Sequence, residues 1–422
     1  MRFTYLQHIP YRHFGSDFVD KGYEPVVSTP YFELAHPNLV HADLRDAIDE
    51  LLYAARSGFD AVGLTEHGQS AFDMDPNPNL GAAAVAYAIA AENLDTGICL
   101  VGRSLGKSRE PLRVAEELGW LDNLSEGRLM TGFSVGVPYD ANINAGIPPI
   151  ETRARHNENL ALILEAWRAR EPFAWNGKYS QYMKVNVWPR PFQAPHPPVS
   201  IAGTGDPKTT RLALEHDFGF NLVGPTLSQA QQHIFDGLWR MADQLGVDDN
   251  PFRVNVAQFV VVADTDAEAE KLYAKHIEYS ATRGIGAIPA YRMSLPGSIS
   301  PAELRTLLAG MPTADPPAPE MPSYADLVES GAIVAGSAAT VRDILEDRAR
   351  SYRVGHLMVQ LQIGSMPTEL VRYNIDLFTA KVIPALRSTW KEYEPHNRWW
   401  PIRLGGRPVS PIQSEPTGAT VT

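Results

Sequence analysis

Two adjacent residues, Glu66 and His67, stand directly after a β-branched run at 60–65 that predicts a buried strand. A histidine titrates close to neutral pH, so in this place it could take up or release a proton during a reaction. The alternative is a structural histidine whose ring is hydrogen-bonded to a backbone carbonyl. Glu66 is expected to orient the histidine or to cap the loop that follows.

A second candidate is the turn Gly203-Thr204-Gly205-Asp206, between a predicted strand at 199–202 and a predicted helix at 208–216. Its amides, the Thr204 hydroxyl and the helix N-terminus would offer donors and a favourable dipole to a phosphate dianion. A plain turn with a capped helix explains the same residues. Asp206 is expected to cap the helix, because its carboxylate would repel a phosphate.

Short β-branched runs alternate with longer amphipathic segments over most of the 422 residues, which is typical of a parallel sheet with crossover helices. About eight β/α units are predicted. Since no G-x-G-x-x-G turn follows the first strand, an α/β fold closed into a (β/α)8 TIM barrel is favoured over an open doubly wound sheet. The carboxyl ends of the strands of such a barrel carry the reacting groups, and Glu66 and His67 stand at one of them.

The alternation breaks at about 284–331, where eight prolines crowd between the seventh helix and the last unit. A Pro-rich insertion of this length is either a spacer or a lid over the site, and both interpretations stay open. Residues 1–390 are predicted to form the barrel. Residues 391–422 contain Trp399 and Trp400 and then become rich in Gly, Pro and Ser. They are predicted to form an extended C-terminal tail that packs on a neighbouring molecule or frays.

The formal net charge is −12, from 37 Lys and Arg against 49 Asp and Glu, which argues against nucleic acid as a partner. Cys99 is the single cysteine, so an internal disulfide is excluded and a reducing, cytoplasmic location is expected. No apolar run reaches about 18 residues, and no membrane segment is predicted. The 12 histidines show no spacing typical of metal ligands, so no metal is expected.

Four ordered motifs make the sequence resemble the bacterial luciferase-like flavin-dependent monooxygenases. They are Glu66-His67, PLRVAEE at 111–117 with LDNLSEGR at 121–128, GKY at 177–179 with WPRPFQAPHPP at 188–198, and GHLMVQLQIGSMP at 355–367. The resemblance extends over nearly everything from the second strand to Leu386. The resemblance implies a barrel that binds reduced FMN and uses molecular oxygen, through a flavin peroxide, to oxygenate a small or medium organic substrate.

The resemblance also implies roles for single residues. His67 matches the family's active-site histidine, which assists formation or breakdown of the flavin peroxide. The turn Gly203-Thr204-Gly205 matches the position where the family holds the flavin phosphate. Ser134, at the end of a predicted strand, would face the isoalloxazine ring. Tyr139 either lies in the same pocket or packs in a loop.

This chain departs from the family pattern at two positions. Gly68 stands where many members have a second histidine, and Val135 stands where the luciferases carry an arginine that clamps the phosphate. Either one of Arg103, Lys107 and Arg153 replaces that arginine, or the flavin binds weakly and transiently. For Arg153, and for Glu158 on the same predicted helix, a structural ion pair is the alternative.

The resemblance further implies a separate flavin reductase and a homodimer formed through the helices that flank the second and third units, including the Ala-rich helix at 82–91. Two alternative functions stay open. One is hydride transfer with a deazaflavin coenzyme and without oxygen; the other is a flavin-binding subunit without turnover. The sequence predicts neither the substrate nor whether the oxygen insertion is a hydroxylation, a Baeyer–Villiger insertion or a bond cleavage.

Overall fold

The computed structural model describes residues 1–223, 228–293, 295 and 322–409. Within these residues the strands are β1 Arg2–Gln7, β2 Ala61–Leu64, β3 Gly97–Ser104, β4 Leu129–Ser134, β5 Phe173–Asn176, β6 Gln181–Val185, β7 Val199–Gly203, β8 Gly219–Leu222, β9 Val254–Ala263, β10 Ile333–Ser337 and β11 His356–Gln360. Eight of them close a ring of parallel pairs in the order β1, β2, β3, β4, β7, β8, β9, β11, since β11 pairs with both β9 and β1. The predicted TIM barrel is therefore confirmed.

The longer helices cover the outside of the barrel. They are α1 Pro37–Arg56, α2 Pro78–Ala91, α3 Pro111–Leu124, α4 Pro149–Arg168, α5 Pro207–Glu215, α6 Ser228–Gln244, α7 Asp266–Arg283, α8 Ala338–Ser351 and α9 Thr368–Leu377. The chain after α9 continues through a π-helical turn, Phe378–Val382, into a last helical turn, Ile383–Leu386. Shorter helical turns are Asp17–Asp20, Tyr31–Leu34, Ala290–Met293 and Tyr324–Glu329. Five of the long helices begin with a proline, whose fixed φ and missing N–H suit that position.

The barrel strands are buried on both faces, as parallel strands covered by helices must be. Their inward-facing side chains form an apolar cluster that includes Leu6, Cys99, Met130 and Met358. Trp400, which is 2% exposed, belongs to the same cluster and closes the amino-terminal end of the barrel.

The packing of the C-terminal tail differs from the expected one. Residues 391–409 pack on the barrel of their own chain, whereas we expected the tail to pack on a neighbour or to fray. The indole N–H of Trp399 donates to the carbonyl of Asp217 at 2.9 Å, and its ring lies 4.4 Å from the Arg253 guanidinium. Burial of two large aromatic rings outweighs the entropy of ordering this segment. Residues 410–422 lie outside the described residues.

Two elements were not predicted. The antiparallel hairpin β5–β6 crosses between α4 and β7, and β10 extends the sheet beside the second half of β9. Most of the predicted insertion at 284–331, namely 294 and 296–321, lies outside the described residues. The two interpretations of the insertion, as a lid or as a spacer, concern those same residues. Among the helices of the described residues, none combines the length and the apolar character needed to cross a membrane.

Candidate active site

The polar side chains of the candidate site stand at the carboxyl ends of the barrel strands. His8 directly follows β1, Glu66 and His67 follow β2, Ser134 ends β4, and Gln360 ends β11. Because all strands of a closed parallel barrel point the same way, these ends meet on one face. This face carries two groups of residues, one around His67 and one around the turn Gly203-Thr204-Gly205-Asp206.

His67 is held through its Nδ1 atom, which lies 2.7 Å from the hydroxyl of Tyr139. Burial, together with the smaller effect of the nearby Lys107 charge, lowers the pKa of His67 to about 3, so the ring is neutral. Burial raises the pKa of Tyr139 well above its usual range, and the described residues offer the hydroxyl no other acceptor. Tyr139 thus donates to Nδ1, and the ring carries its proton on Nε2.

Glu66 does not contact His67 directly, which corrects the expected orienting contact. Its carboxylate lies 2.7 Å from Nζ of Lys107 and 3.1 Å from a guanidinium nitrogen of Arg103. Lys107 also reaches Asp140, at 2.9 Å. Burial opposes the charged form of Lys107, but the two carboxylates together outweigh it and raise its pKa.

This network positions His67 indirectly. Asp140 follows Tyr139 in one π-helical turn, Tyr139–Asn144, and its carboxylate accepts the backbone N–H of Gly68 at 3.1 Å. The amide of Asn144 donates to the carbonyl of Gly68 at 2.5 Å. Lys107 therefore fixes the turn that carries Tyr139, and that turn fixes the loop after His67.

His8 is a site residue that the sequence reasoning missed. Its ring lies edge to face with that of His67, with centroids 6.0 Å apart, and Phe72 packs against both rings at 5.6 Å and 4.9 Å. The amide nitrogen of Gln360 lies 3.2 Å from Nδ1 and 3.3 Å from Nε2 of His8. Burial lowers the pKa of His8 to about 3, and His67 contributes. The available signal was the position of His8 after the first strand, equivalent to that of His67 after the second.

A carboxyl group completes this cluster. One ring nitrogen of His8, one of His67 and one oxygen of Asp73 lie within 4.8 Å of one another, a grouping that a metal ion could use. Both oxygens of Asp73 are already engaged, with the Ile9 N–H at 2.9 Å and the Thr65 hydroxyl at 2.6 Å. Burial and then the charge of Asp75 raise the pKa of Asp73 well above its usual value. A protonated, hydrogen-bonded carboxyl is a poor metal ligand, so we assign no metal here.

A pocket opens beside His8, between the ends of β1, β9 and β11 and helix α7. Its wall is largely apolar and aromatic, with Phe72, Tyr11, Phe259 and Tyr279 among the lining residues. Gln362 and Arg283 are the polar side chains with the longest reach in this wall. Such a pocket suits an organic molecule with an apolar body.

Small residues cover the opposite part of the same face. A Cβ placed on Gly102 would lie 3.4 Å from the Cβ atoms of both Ala202 and Ser134, so the ends of β3, β4 and β7 approach closely here. The hydroxyl of Ser134 donates to the carbonyl of Gly102 at 3.4 Å. Gly102, Ser134 and Ala202 thus form a floor of small residues on this part of the face.

The predicted phosphate turn lies next to this floor. Thr204 is exposed and Gly205 has a φ of +101°, a conformation that favours glycine. Asp206 caps α5 as expected, because its carboxylate accepts the N–H groups of Lys208 at 3.4 Å and Thr209 at 3.3 Å. The first amides of the helix are therefore occupied, and the donors left for a phosphate are the Thr204 hydroxyl and the amides of the turn.

Arg153 adds a cation to the turn. Its guanidinium bonds to the Asp206 carboxylate at 2.6 Å and to the Thr209 hydroxyl at 3.2 Å. Of the three cations considered as replacements for the arginine missing at Val135, Arg153 is placed at the turn, whereas Arg103 and Lys107 are engaged with Glu66. Arg153 therefore forms the structural ion pair that was the alternative to phosphate binding, with Asp206 as its partner.

Glu158 has a different role from the one expected. Its carboxylate accepts the backbone N–H groups of Lys178, Tyr179 and Ser180 in the β5–β6 turn, at 2.8 to 3.1 Å. The residues present fit FMN, since the floor of small residues continues into a turn that carries the Thr204 hydroxyl and is flanked by Arg153.

Comparison with known proteins agrees with this geometry. The sequence profile of the family described as luciferase-like monooxygenase matches residues 26–354. The oxygenase component of the flavin-dependent trigonelline monooxygenase of Acinetobacter baylyi is 25% identical over 231 residues, which are 54% of this chain and 62% of that protein.

Solved structures share the fold. The oxygenating constituent of the 3,6-diketocamphane monooxygenase of Pseudomonas putida, in complex with FMN, superposes with a TM-score of 0.68 at 21% identity, over 91% of this chain and 98% of that one. A secondary alcohol dehydrogenase that depends on coenzyme F420 gives a TM-score of 0.60 at 15% identity, over 92% and 99%. Since the family profile spans most of the barrel, the chain belongs to the luciferase-like monooxygenase family.

Proposed function

We propose that this protein is the oxygenase component of a two-component monooxygenase, which receives reduced FMN from a separate reductase and oxygenates a small or medium organic substrate. The observation that carries the proposal is the neutral His67, fixed by Tyr139 at 2.7 Å, on the same barrel face as the floor of small residues. The trigonelline monooxygenase, a relative named as a flavin-dependent oxygenase component, supports the two-component arrangement.

Each group of site residues has a separate role in this proposed function. Bound reduced FMN supplies the electrons with which oxygen is activated. Thr204, the amides of the turn and Arg153 hold its phosphate, and Ser134 and Gly102 accept its ring. His67 would hold a proton on Nε2 and could pass it to the reacting group, because its Nδ1 is fixed by Tyr139. Phe72 and the other rings of the pocket wall keep water away.

A homodimer is part of the proposal. Helix α2 presents Leu80, 67% exposed, and Tyr87, 69% exposed, and α3 presents Trp120, 52% exposed. Large apolar side chains on the outer faces of neighbouring helices support an interface there. The buried, single Cys99 supports a cytoplasmic location.

The test begins with anaerobic titration of photoreduced FMN into the protein, followed by mixing with aerated buffer in a stopped-flow instrument. We expect binding and a time course of flavin reoxidation distinct from that of free FMN. Absence of binding together with free-FMN kinetics would refute the proposal. If reduced deazaflavin coenzyme binds instead and transfers hydride without consuming oxygen, the alternative function holds.

Variants connect this test to the site. His67→Ala should bind reduced FMN as the parent protein does, but lose most of the substrate-dependent turnover. His233→Ala, a change at an exposed histidine of α6, is the matched control and should behave as the parent protein. Equal turnover in the two variants would remove His67 from the mechanism.

A further inference from the structure

Among the described residues that line the pocket beside His8, Arg283 is the one charged side chain. The wall contains no Asp, Glu or Lys from this part of the chain; its other members are apolar, aromatic, glycine or neutral polar residues. Burial, with a smaller contribution from His67, lowers the pKa of His8 to about 3, so this histidine of the wall is neutral. The pocket therefore combines an apolar surface with a single positive charge.

The guanidinium group of Arg283 has fewer partners in the protein than it has donors. Nη1 donates to the carbonyl of Phe14 at 3.3 Å, and the group lies 5.3 Å from the centre of the Tyr279 ring. Nε is buried without a hydrogen-bond partner, which is rare for a polar atom of a native protein. Nη2 has no hydrogen bond or ion pair with the described residues, and it is not among the fully buried atoms that lack a partner, so it is accessible. These unused donors indicate an acceptor from outside the chain.

The nearby charges of the protein leave Arg283 unpaired within the described residues. The pKa of Asp17 is lowered by Lys21 first and by Arg283 last, and Asp17 pairs with Lys21 at 2.9 Å. Arg12, on the same loop after β1, is held by Glu50 at 2.9 Å. The positive charge of Arg283 is therefore available to a bound anion.

A hydroxyl group stands next to this cation on the same helix. Ser280 precedes Arg283 by three residues in α7, so the two side chains lie on one face, and both line the pocket. The Thr282 hydroxyl bonds back to the carbonyl of Glu278 at 2.8 Å, whereas the Ser280 hydroxyl has no hydrogen bond with the described residues. The α7 side of the pocket thus offers N–H and O–H donors together.

The remaining wall suits an apolar body. It includes Phe72, Phe259, Ile285 and Ile363. His8 also lines the pocket, and its ring centroid lies 6.0 Å from that of His67. A molecule that fills the pocket therefore touches Arg283 with one part and, with another, the histidine that packs on His67.

We propose that Arg283, assisted by Ser280, binds the carboxylate of the substrate, which is a carboxylic acid whose apolar body occupies the rest of the pocket. This inference rests on the proposed monooxygenase function and names the class of its substrate. A carboxylate loses water when it enters an apolar pocket, and charge-assisted hydrogen bonds from a guanidinium compensate for that loss. Its two oxygens in one plane match the planar arrangement of the guanidinium N–H groups. A dianion would need a second cation, which the described wall does not hold.

The alternative is a purely structural role for Arg283. The side chain would then only hold the loop that carries Phe14 against α7. In that case its replacement would disturb the pocket for every ligand. Under our proposal, loss of the charge weakens the binding of carboxylates and leaves the binding of neutral analogues unchanged.

The test compares carboxylates with their neutral carboxamides. Benzoate, phenylacetate and cyclohexanecarboxylate are each paired with the corresponding primary amide, and benzenesulfonate serves as a non-planar anion. Binding to the full-length protein is measured by isothermal titration calorimetry at constant ionic strength, with and without oxidised FMN. We expect at least one carboxylate to bind about tenfold or more tightly than its amide, and benzenesulfonate to bind more weakly than benzoate.

Substitutions assign the preference to the guanidinium. Arg283→Gln should reduce carboxylate affinity about tenfold with unchanged amide affinity, and Arg283→Lys, which restores the charge without the planar group, should recover part of the loss. The matched control is Arg350→Gln. Arg350 is an arginine of α8 that is 57% exposed and pairs with Glu346 at 2.8 Å, and its replacement should leave both affinities unchanged.

A measurement on the parent protein avoids any effect of substitution on folding. Phenylglyoxal modifies accessible arginines, and the extent of labelling at Arg283 can be followed by peptide mass spectrometry. A saturating carboxylate should protect Arg283 from labelling, and its amide at the same concentration should not.

Any of four results would overturn the inference. They are the absence of a carboxylate that binds more tightly than its amide, equal losses of carboxylate and amide affinity in Arg283→Gln, tighter binding of benzenesulfonate than of benzoate, and equal labelling of Arg283 with and without the carboxylate. All these measurements are made without reduced flavin and without turnover. Their failure is therefore distinct from failure of the test with reduced FMN.

Discussion

Lys107 is the cation on which the geometry around His67 depends, and its replacement gives the sharpest test of this architecture. Its side chain is 16% exposed and bridges Glu66 at 2.7 Å and Asp140 at 2.9 Å. Lys107→Met keeps the length of the side chain and removes the charge. Glu66 retains Arg103 at 3.1 Å, but Asp140, 2% exposed, loses its one cation among the described residues, since His67 is neutral.

Lys107→Met should therefore lower the free energy of unfolding, because Asp140 is left without a cation. Removal of one partner of a buried ion pair leaves an uncompensated charge and costs about 3–5 kcal/mol, and the residual exposure of Lys107 places it near the lower figure. The matched control is Lys381→Met. Lys381 pairs with Asp264 at 3.2 Å, with the two side chains 51% and 62% exposed. Such a pair contributes about 0–1 kcal/mol.

The assay is urea unfolding followed by tryptophan fluorescence at pH 7, for both variants and for the double variant Lys107→Met with Asp140→Asn. The double variant should regain more than half of the lost stability, because the stranded charge is gone. A loss in Lys107→Met no larger than in Lys381→Met would refute the reasoning. Failure of Asp140→Asn to restore stability would show that the loss comes from packing.

Three further predictions concern the same face. Tyr139→Phe should lower kcat about tenfold with little change in FMN affinity, because Nδ1 of His67 loses its donor; equal kcat in steady-state assays would contradict this. The pKa of His67 is lowered from 6.5 to about 3 in the folded protein, so the unfolded chain takes up a proton as pH falls through 6.5 and stability is lost below that pH. Between pH 7 and pH 5 the parent protein should therefore lose about 2 kcal/mol more unfolding free energy than His67→Gln, measured in urea; an equal pH dependence would mean that His67 titrates normally. Thr204→Glu should weaken FMN binding at least about tenfold with an unchanged circular dichroism spectrum, whereas unchanged affinity would show that the phosphate binds elsewhere.

The barrel could be predicted because each of its strands and helices has a recognisable pattern in the local sequence. Strands β2 and β7 and helix α5 lie within one residue of the bounds predicted at 60–65, 199–202 and 208–216. The strand β10 has five residues and follows a Pro-rich stretch, so it gave no periodic signal.

The site was predictable only in part, because its contacts join distant strand ends. The position of His67 follows from one strand and a resemblance. The contact of Lys107 with Glu66 depends on how far the loop after β3 folds back, and no local pattern encodes that distance. The same holds for His8, whose neighbour Gln360 is 352 residues away in the chain.

The tryptophan that closes the amino-terminal end of the barrel affects how small molecules enter and leave the protein. Trp400 and the side chains packed on it fill the amino-terminal end of the barrel. Under the proposed function, substrate and product therefore exchange at the carboxyl face, where the candidate site lies. The rate of this exchange sets an upper limit on the turnover rate, however fast the chemical step is.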